Sequence, residues 1–207
     1  MDNVVITIAR GYGSGGKTIG KMLAAELGID YYDRELLKMA SDESGINENL
    51  FNKADEKLKS TLLFKIARKV YSGELISPDS DDFVSNDNLF NYQAKVIKEL
   101  AENESCVIVG RCADFVLKDY KHVIKIFVHA PFESCVNTVI DMFGITRKEA
   151  EKKILTTDKH RSEYYKYYTG RDWDNAGNYD LCLNTDDLSY EKCVEIIKDF
   201  IKIKTEK

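Results

Sequence analysis

Gly11-Tyr12-Gly13-Ser14-Gly15-Gly16-Lys17-Thr18 fills every fixed position of G-x-x-x-x-G-K-[ST], the phosphate-binding P-loop pattern. The chemistry follows from the residue types. Glycines let the backbone take positive φ and bring its N–H groups around phosphate oxygens. A helix starting at the end of the loop adds the partial positive charge of its N-terminus. Lys17 is spaced to reach the β- and γ-phosphates, and the Thr18 hydroxyl to ligate Mg²⁺. Gly11, Gly13, Ser14, Gly15, Gly16, Lys17 and Thr18 are therefore the expected triphosphate-binding residues, with ATP and Mg²⁺ as the expected nucleotide and metal. The competing reading is a glycine-rich turn with no ligand.

Five further positions carry charge where phosphate chemistry would use it. Arg111 follows Gly110 at the end of an apolar run, and an arginine at the C-terminal end of a parallel strand faces the ligand crevice of an open α/β sheet. Its planar fork suits a phosphate monoester; the alternative is a surface loop arginine. Asp158 and Arg161 share one face if a helix runs through both, so the carboxylate can hold the guanidinium where transferring charge must be met. An ordinary surface ion pair has the same spacing. Asp33 ends a short strand and is placed to act on Mg²⁺ through water, to touch the acceptor, or to cap the helix that follows. Asp114, three residues past Arg111, either orients it or is a first-turn helix acid.

Alternating strands and helices must position these groups. Val4–Ala9 is a β-branched apolar run directly before the glycines, and Ile19, Met22, Leu23 and Leu27 recur at helical spacing after them, with Gly28 as a stop. Ile29–Tyr32, Cys106–Val109, Val123–His129 and Leu181–Asn184 read as further strands. Between residues 34 and 102 the spacing is mostly helical: Leu36, Leu37 and Ala40, then Leu58, Leu62, Ile66 and Val70, then Leu89–Ala101 beyond a polar loop at Ser77–Asn88. Pro131 opens a helix, Thr146-Arg147-Lys148-Glu149 is a capping box, and Ser189 caps a last helix. His160–Tyr179 is polar, aromatic and too irregular to predict as one element; its rings are expected to pack on their own domain more readily than on a base. Right-handed crossovers turn this order into a five-stranded parallel sheet flanked by helices.

The bulk numbers bound the partners. The chain has 207 residues, 43% of them hydrophobic, and a net charge of -5, which argues for one soluble domain and against nucleic-acid binding. No apolar run approaches a membrane span, and a strand from Val4 is expected to leave no room for a signal peptide. The five cysteines form no C-x-x-C pair, and reduced thiols in a cytoplasmic protein are expected. The oligomeric state is not readable.

The P-loop, Val107–Arg111, Ile126–Pro131, Asp158–Tyr165 (D-K-H-R-S-E-Y-Y) and Tyr179–Thr185, in this order over nearly the whole chain, resemble the cytidylate kinase-like family of P-loop kinases. The resemblance implies a nucleoside monophosphate kinase fold in a single domain, 1–207, with an acceptor-binding helical insertion at about 34–100 and a LID at about 144–177. It implies that Arg111 contacts the acceptor phosphate and that Asp158 and Arg161 serve nucleotide binding and transfer, with Lys17 as the other catalytic cation. The expected activity is ATP-dependent phosphoryl transfer to a nucleoside monophosphate, CMP or dCMP first. The alternatives are a P-loop kinase of another small metabolite and a non-catalytic nucleotide-binding sensor.

Overall fold

The computed structural model describes residues 3–57, 73–80 and 82–205. The first apolar run forms β1 (Val5–Arg10), flanked by β3 (Cys106–Val109) on one side and β4 (Val123–His129) on the other. β2 (Asp30–Tyr32) pairs with β3, and β5 (Leu181–Asn184) pairs with β4. All pairs are parallel, in the order β2-β3-β1-β4-β5. Val5, Ile6 and Ile8 of β1 are all buried because helices cover both faces of the sheet, which is why this strand reads as continuous apolar sequence rather than as alternation.

Helix α1 (Gly16–Leu27) leaves the P-loop and stops at Gly28, which takes the left-handed conformation at φ 65°. Its Ile19 and Leu23 pack with Val194 and Ile197 of α8 (Tyr190–Thr205) over one face. The opposite face carries α2 (Glu35–Ser44), α3 (Glu48–Lys57), α4 (Asn86–Asn103) and the single turn α5 (Ala113–Val116), joined through Leu36, Phe51, Phe90, Ile97 and Val116. β1 thus sends the chain to one face and its neighbour β3 sends it to the other. That divergence opens a crevice at the C-terminal ends of the two strands.

Two helices complete the molecule: α6 (Phe132–Phe143) and α7 (Arg147–Thr169). Pro131 stands just before α6, with ψ 149°, rather than inside it. The Thr146 capping box forms as expected, its hydroxyl accepting from the Glu149 N–H and the Glu149 carboxylate accepting from the Thr146 N–H. The irregular stretch expected from His160 is corrected: α7 continues unbroken to Thr169 and ends at Gly170. Ala150, Ile154, Asp158, Arg161, Tyr165 and Tyr168 recur at i+3 and i+4 along one stripe. Its first two residues pack on Val136 and Val139 of α6, and its last two join the cluster around Phe90. A charged pair in mid-stripe and a crowd of tyrosines hide this periodicity from a reading of the sequence. The helix expected at Leu58–Val70 lies outside the described residues.

The Phe90 and Tyr168 rings stack at 3.9 Å with 6° between their planes, fastening α4 to α7. Phe90→Ala is expected to lower unfolding free energy by about 3 kcal/mol, read from urea titration. Leu155→Ala, on the exposed side of α7, is expected to change it by less than about 0.5 kcal/mol.

Candidate functional site

The P-loop is bound in place from several sides before any ligand arrives. The Ser14 hydroxyl donates to the carbonyls of Gly11 at 2.9 Å and Val128 at 3.1 Å, and the Thr185 hydroxyl donates to the Ser14 carbonyl at 2.9 Å. Gly13 has φ 85°, and a Cβ there would lie 2.8 Å from the Cys135 carbonyl oxygen, so no larger residue fits without moving backbone. Lys17 and Thr18 open α1 and are exposed at its N-terminal end. The exposed Thr18 hydroxyl and the nearby Asp33 carboxylate are hard oxygen donors. Mg²⁺ takes one or two such groups and completes its shell with waters and phosphate oxygens, so the donor set fits that ion.

Asp33 sits just past β2, buried, and accepts a hydrogen bond from Lys17 Nζ at 2.6 Å. Arg10 Nη2 stands 3.8 Å from its other oxygen. Burial pushes the Asp33 carboxyl up, but the Lys17 hydrogen bond and the charges of Arg10, Lys17 and Arg111 outweigh it and hold it below the ordinary carboxylate range. Asp33 is therefore a shared counter-ion in this state, not a helix cap.

Asp158 and Arg161 form the predicted pair and do more than pair. Both Asp158 oxygens accept the Tyr12 backbone N–H, at 2.9 and 3.1 Å. Arg161 Nη1 donates to Asp158 Oδ1 at 3.1 Å and to the Arg10 carbonyl at 3.0 Å. Its guanidinium lies 5.5 Å from the Tyr12 ring centroid. The middle of α7 is thereby pinned to the start of the P-loop. Burial pushes the Arg161 pKa down, with Asp158 opposing, and pushes the Asp158 carboxyl up, with Arg161 and the Tyr12 N–H opposing.

Arg111 lies where the strand-end rule places it. Gly110, Arg111 and Cys112 have φ of 80°, 58° and 54°, three left-handed residues in succession that turn the chain from β3 into α5. For Arg111 and Cys112 this conformation costs about 1 kcal/mol or more each. Burial lowers the Arg111 pKa, opposed by Tyr164 and then by Asp33. The structure thus brings the P-loop, Asp33, Arg111, Asp158 and Arg161 to one crevice. Sequence reading passed over Arg10 as a site residue, although it ends β1 and so obeys the rule that singled out Arg111.

Asp114 meets α7. It is buried in the single turn of α5 and accepts from the Tyr165 hydroxyl at 2.6 Å. The aromatic run packs on the body of the protein: Tyr168 on Phe90, and Trp173 edge-on to Phe127 at 5.5 Å. His160 is half-buried with its ring 6.4 Å from that of Tyr164. Of the cysteines, Cys182 is exposed and the other four are buried free thiols.

A parallel sheet of this order, with a P-loop after its central strand and cations at the neighbouring strand end, defines a P-loop kinase fold. A gluconokinase from Sinorhizobium meliloti shares it at TM-score 0.52 and 13% identity, over 98% of this chain and 93% of its own. The chain belongs to the cytidylate kinase-like family, whose model matches residues 5–187. A cytidylate kinase of Methanopyrus kandleri is 27% identical over 205 residues, covering 95% of this chain and 92% of the relative. A solved structure from Eubacterium ventriosum superposes at TM-score 0.71 with 25% identity, over 97% and 99% of the two chains. Family and fold make the protein a P-loop phosphotransferase in kind. None of the described helices is long and apolar enough to cross a membrane.

The Asp114–Tyr165 contact ties α7 to the turn that carries Arg111, and its charge state can be followed. Burial pushes the Asp114 carboxyl up to about 6, above its unfolded value, so between about pH 4 and pH 6 the folded chain keeps a proton that the unfolded chain releases. Asp114 therefore lowers stability as pH rises through that window. Asp114→Asn, which can still accept from Tyr165, should gain about 2 kcal/mol relative to the parent between pH 4.5 and pH 7.5. Urea unfolding of both proteins at the two pH values checks this, and an unchanged difference contradicts it.

Proposed function

We propose that the protein transfers the terminal phosphoryl group of ATP to the phosphate of a nucleoside monophosphate, with CMP or dCMP the first acceptor. The observation that carries this reading is the placement of two separate sets of phosphate-binding cations on either side of Asp33. Lys17 stands at the triphosphate loop and Arg111 at the neighbouring strand end. A nucleotide hydrolase or a simple nucleotide binder has no need of the second set. The relative named cytidylate kinase, similar along nearly its full length, supports the same acceptor class.

In this mechanism the P-loop N–H groups and the α1 N-terminus hold the donor phosphates. Lys17 leaves Asp33 for the phosphates and neutralises charge on the transferring group. Thr18 would hold Mg²⁺, with Asp33 acting through water; the ion supplies charge neutralisation between the donor's phosphates. Arg111 grips the acceptor phosphate with its fork and aims one of its oxygens at the donor phosphorus. Arg161, already anchored on the Arg10 carbonyl and Asp158, faces the transfer region without having to be recruited from a distant position. The acceptor is itself an ionised phosphate, so no general base is required. The helices between residues 34 and 100 and the α7 segment take the acceptor-binding and LID roles.

A panel of nucleoside monophosphates with ATP and Mg²⁺, monitored for ADP, tests the proposal. ADP should form with CMP or dCMP. Lys17→Ala should lower kcat by about 100-fold or more, and Arg111→Ala should raise the acceptor KM by about tenfold or more while leaving the ATP KM within about twofold. ADP formation with no monophosphate overturns the acceptor class. ADP formation with a sugar or another metabolite hydroxyl would instead assign the protein to that kind of kinase.

A further inference from the structure

Arg10 is the residue of the crevice that the scheme above leaves unused, and it is the most deliberately housed side chain there. It ends β1, between the P-loop and the strand-end turn of β3. Its stem lies against Gly16, where a Cβ would come within 2.6 Å of the Arg10 Cβ. Its Nη1 lies over Gly110, so close that a Cβ on that glycine would overlap it. Two glycines, one from each loop of the crevice, therefore make the channel in which this guanidinium runs. The side chain is 19% exposed.

Its charge is poorly matched among the described residues. Asp33, the one carboxylate at ion-pair distance among the described residues, is 3.8 Å away and bonds more tightly to Lys17. Burial, with Arg161 and Arg111 nearby, pushes the Arg10 pKa down to about 9, against the pull of Asp33. Around Arg10 itself, the cations Arg161 and Arg111 stand against the single carboxylate of Asp33 at ion-pair distance among the described residues. A partly buried guanidinium without full pairing is costly, and the anion that would relieve it has the charge and oxygen geometry of a phosphoryl group.

We propose that Arg10 contacts the terminal phosphoryl group of the bound triphosphate, Nη2 keeping Asp33 while Nη1, over Gly110, takes a phosphoryl oxygen as Lys17 moves from Asp33 to the same group. Arg10 is then a catalytic residue that bridges the donor loop and the acceptor-side turn. The assignment deepens the kinase reading and rests on it for the triphosphate, not for the identity of the acceptor.

The test compares binding of ADP and of the non-hydrolysable triphosphate AMP-PNP, each with Mg²⁺, to the full-length parent, Arg10→Gln and Arg10→Lys by calorimetric titration. Arg10→Gln should bind ADP within about twofold of the parent but lose about tenfold or more in AMP-PNP affinity. Arg10→Lys should show the same selective loss, smaller, and decides the matter if Arg10→Gln does not fold, as judged by its melting transition. Equal losses for both nucleotides would mean that Arg10 only shapes the P-loop, and no loss would mean that it is an idle ion pair; either result overturns the proposal. If no monophosphate is phosphorylated yet the selective AMP-PNP loss appears, the acceptor class fails and the role of Arg10 stands.

Discussion

The crevice depends on one carboxylate. Asp33 is buried among Lys17, Arg10 and Arg111, and without it three cations from three different elements would repel one another with no carboxylate between them. The sheet order makes this convergence possible. β3 lies between β2 and β1, so the residue after β2 meets the lysine after β1 across the end of the intervening strand. On the proposed kinase reading, a carboxylate at that point would let the groups that meet phosphate be assembled in advance and then released to a better anion.

Much of the frame was legible because local signals and tertiary demands agree. The strands at Cys106–Val109, Val123–His129 and Leu181–Asn184 fall where their apolar runs predict; the first, covered on both faces, shows no polar alternation, whereas the last, at the sheet edge, alternates exposed and buried residues. The Thr146 capping box, the Ser189 start of the last helix and the Gly28 stop are local hydrogen-bond or backbone devices that short sequence windows contain in full. The P-loop and the Asp158–Arg161 pair were visible as spacings, and Arg111 as a strand-end residue.

What was not legible is instructive. The second half of α7 looked irregular because its buried stripe mixes alanine, isoleucine, a salt bridge and two tyrosines. No hydrophobicity scale sees that sequence as one face, yet every member meets a suited surface: apolar α6, then the polar P-loop, then the aromatic cluster around Phe90. Arg10 was hidden by the opposite effect. It reads as the polar residue that ends an apolar strand, and only the glycines on either side of its side chain, Gly16 and Gly110, reveal that space has been reserved for it. Asp114 shows that a first-turn acid in a one-turn helix can owe its place to a single tyrosine hydroxyl from a distant element.

The pinning of Tyr12 by α7 has a consequence for how the molecule responds to its ligands. The same helix that grips the P-loop through Asp158 and Arg161 is cemented at one end to α6 and at the other to α4. An anion that settles the excess charge of the crevice therefore strengthens a joint shared by two separate hydrophobic clusters. On the proposed kinase reading, mass-action linkage would make the bound triphosphate a folding ligand that raises the melting temperature. Occupancy of the site and integrity of the fold would then be a single equilibrium, so that the supply of triphosphate would set how much of the protein survives as well as how fast it works.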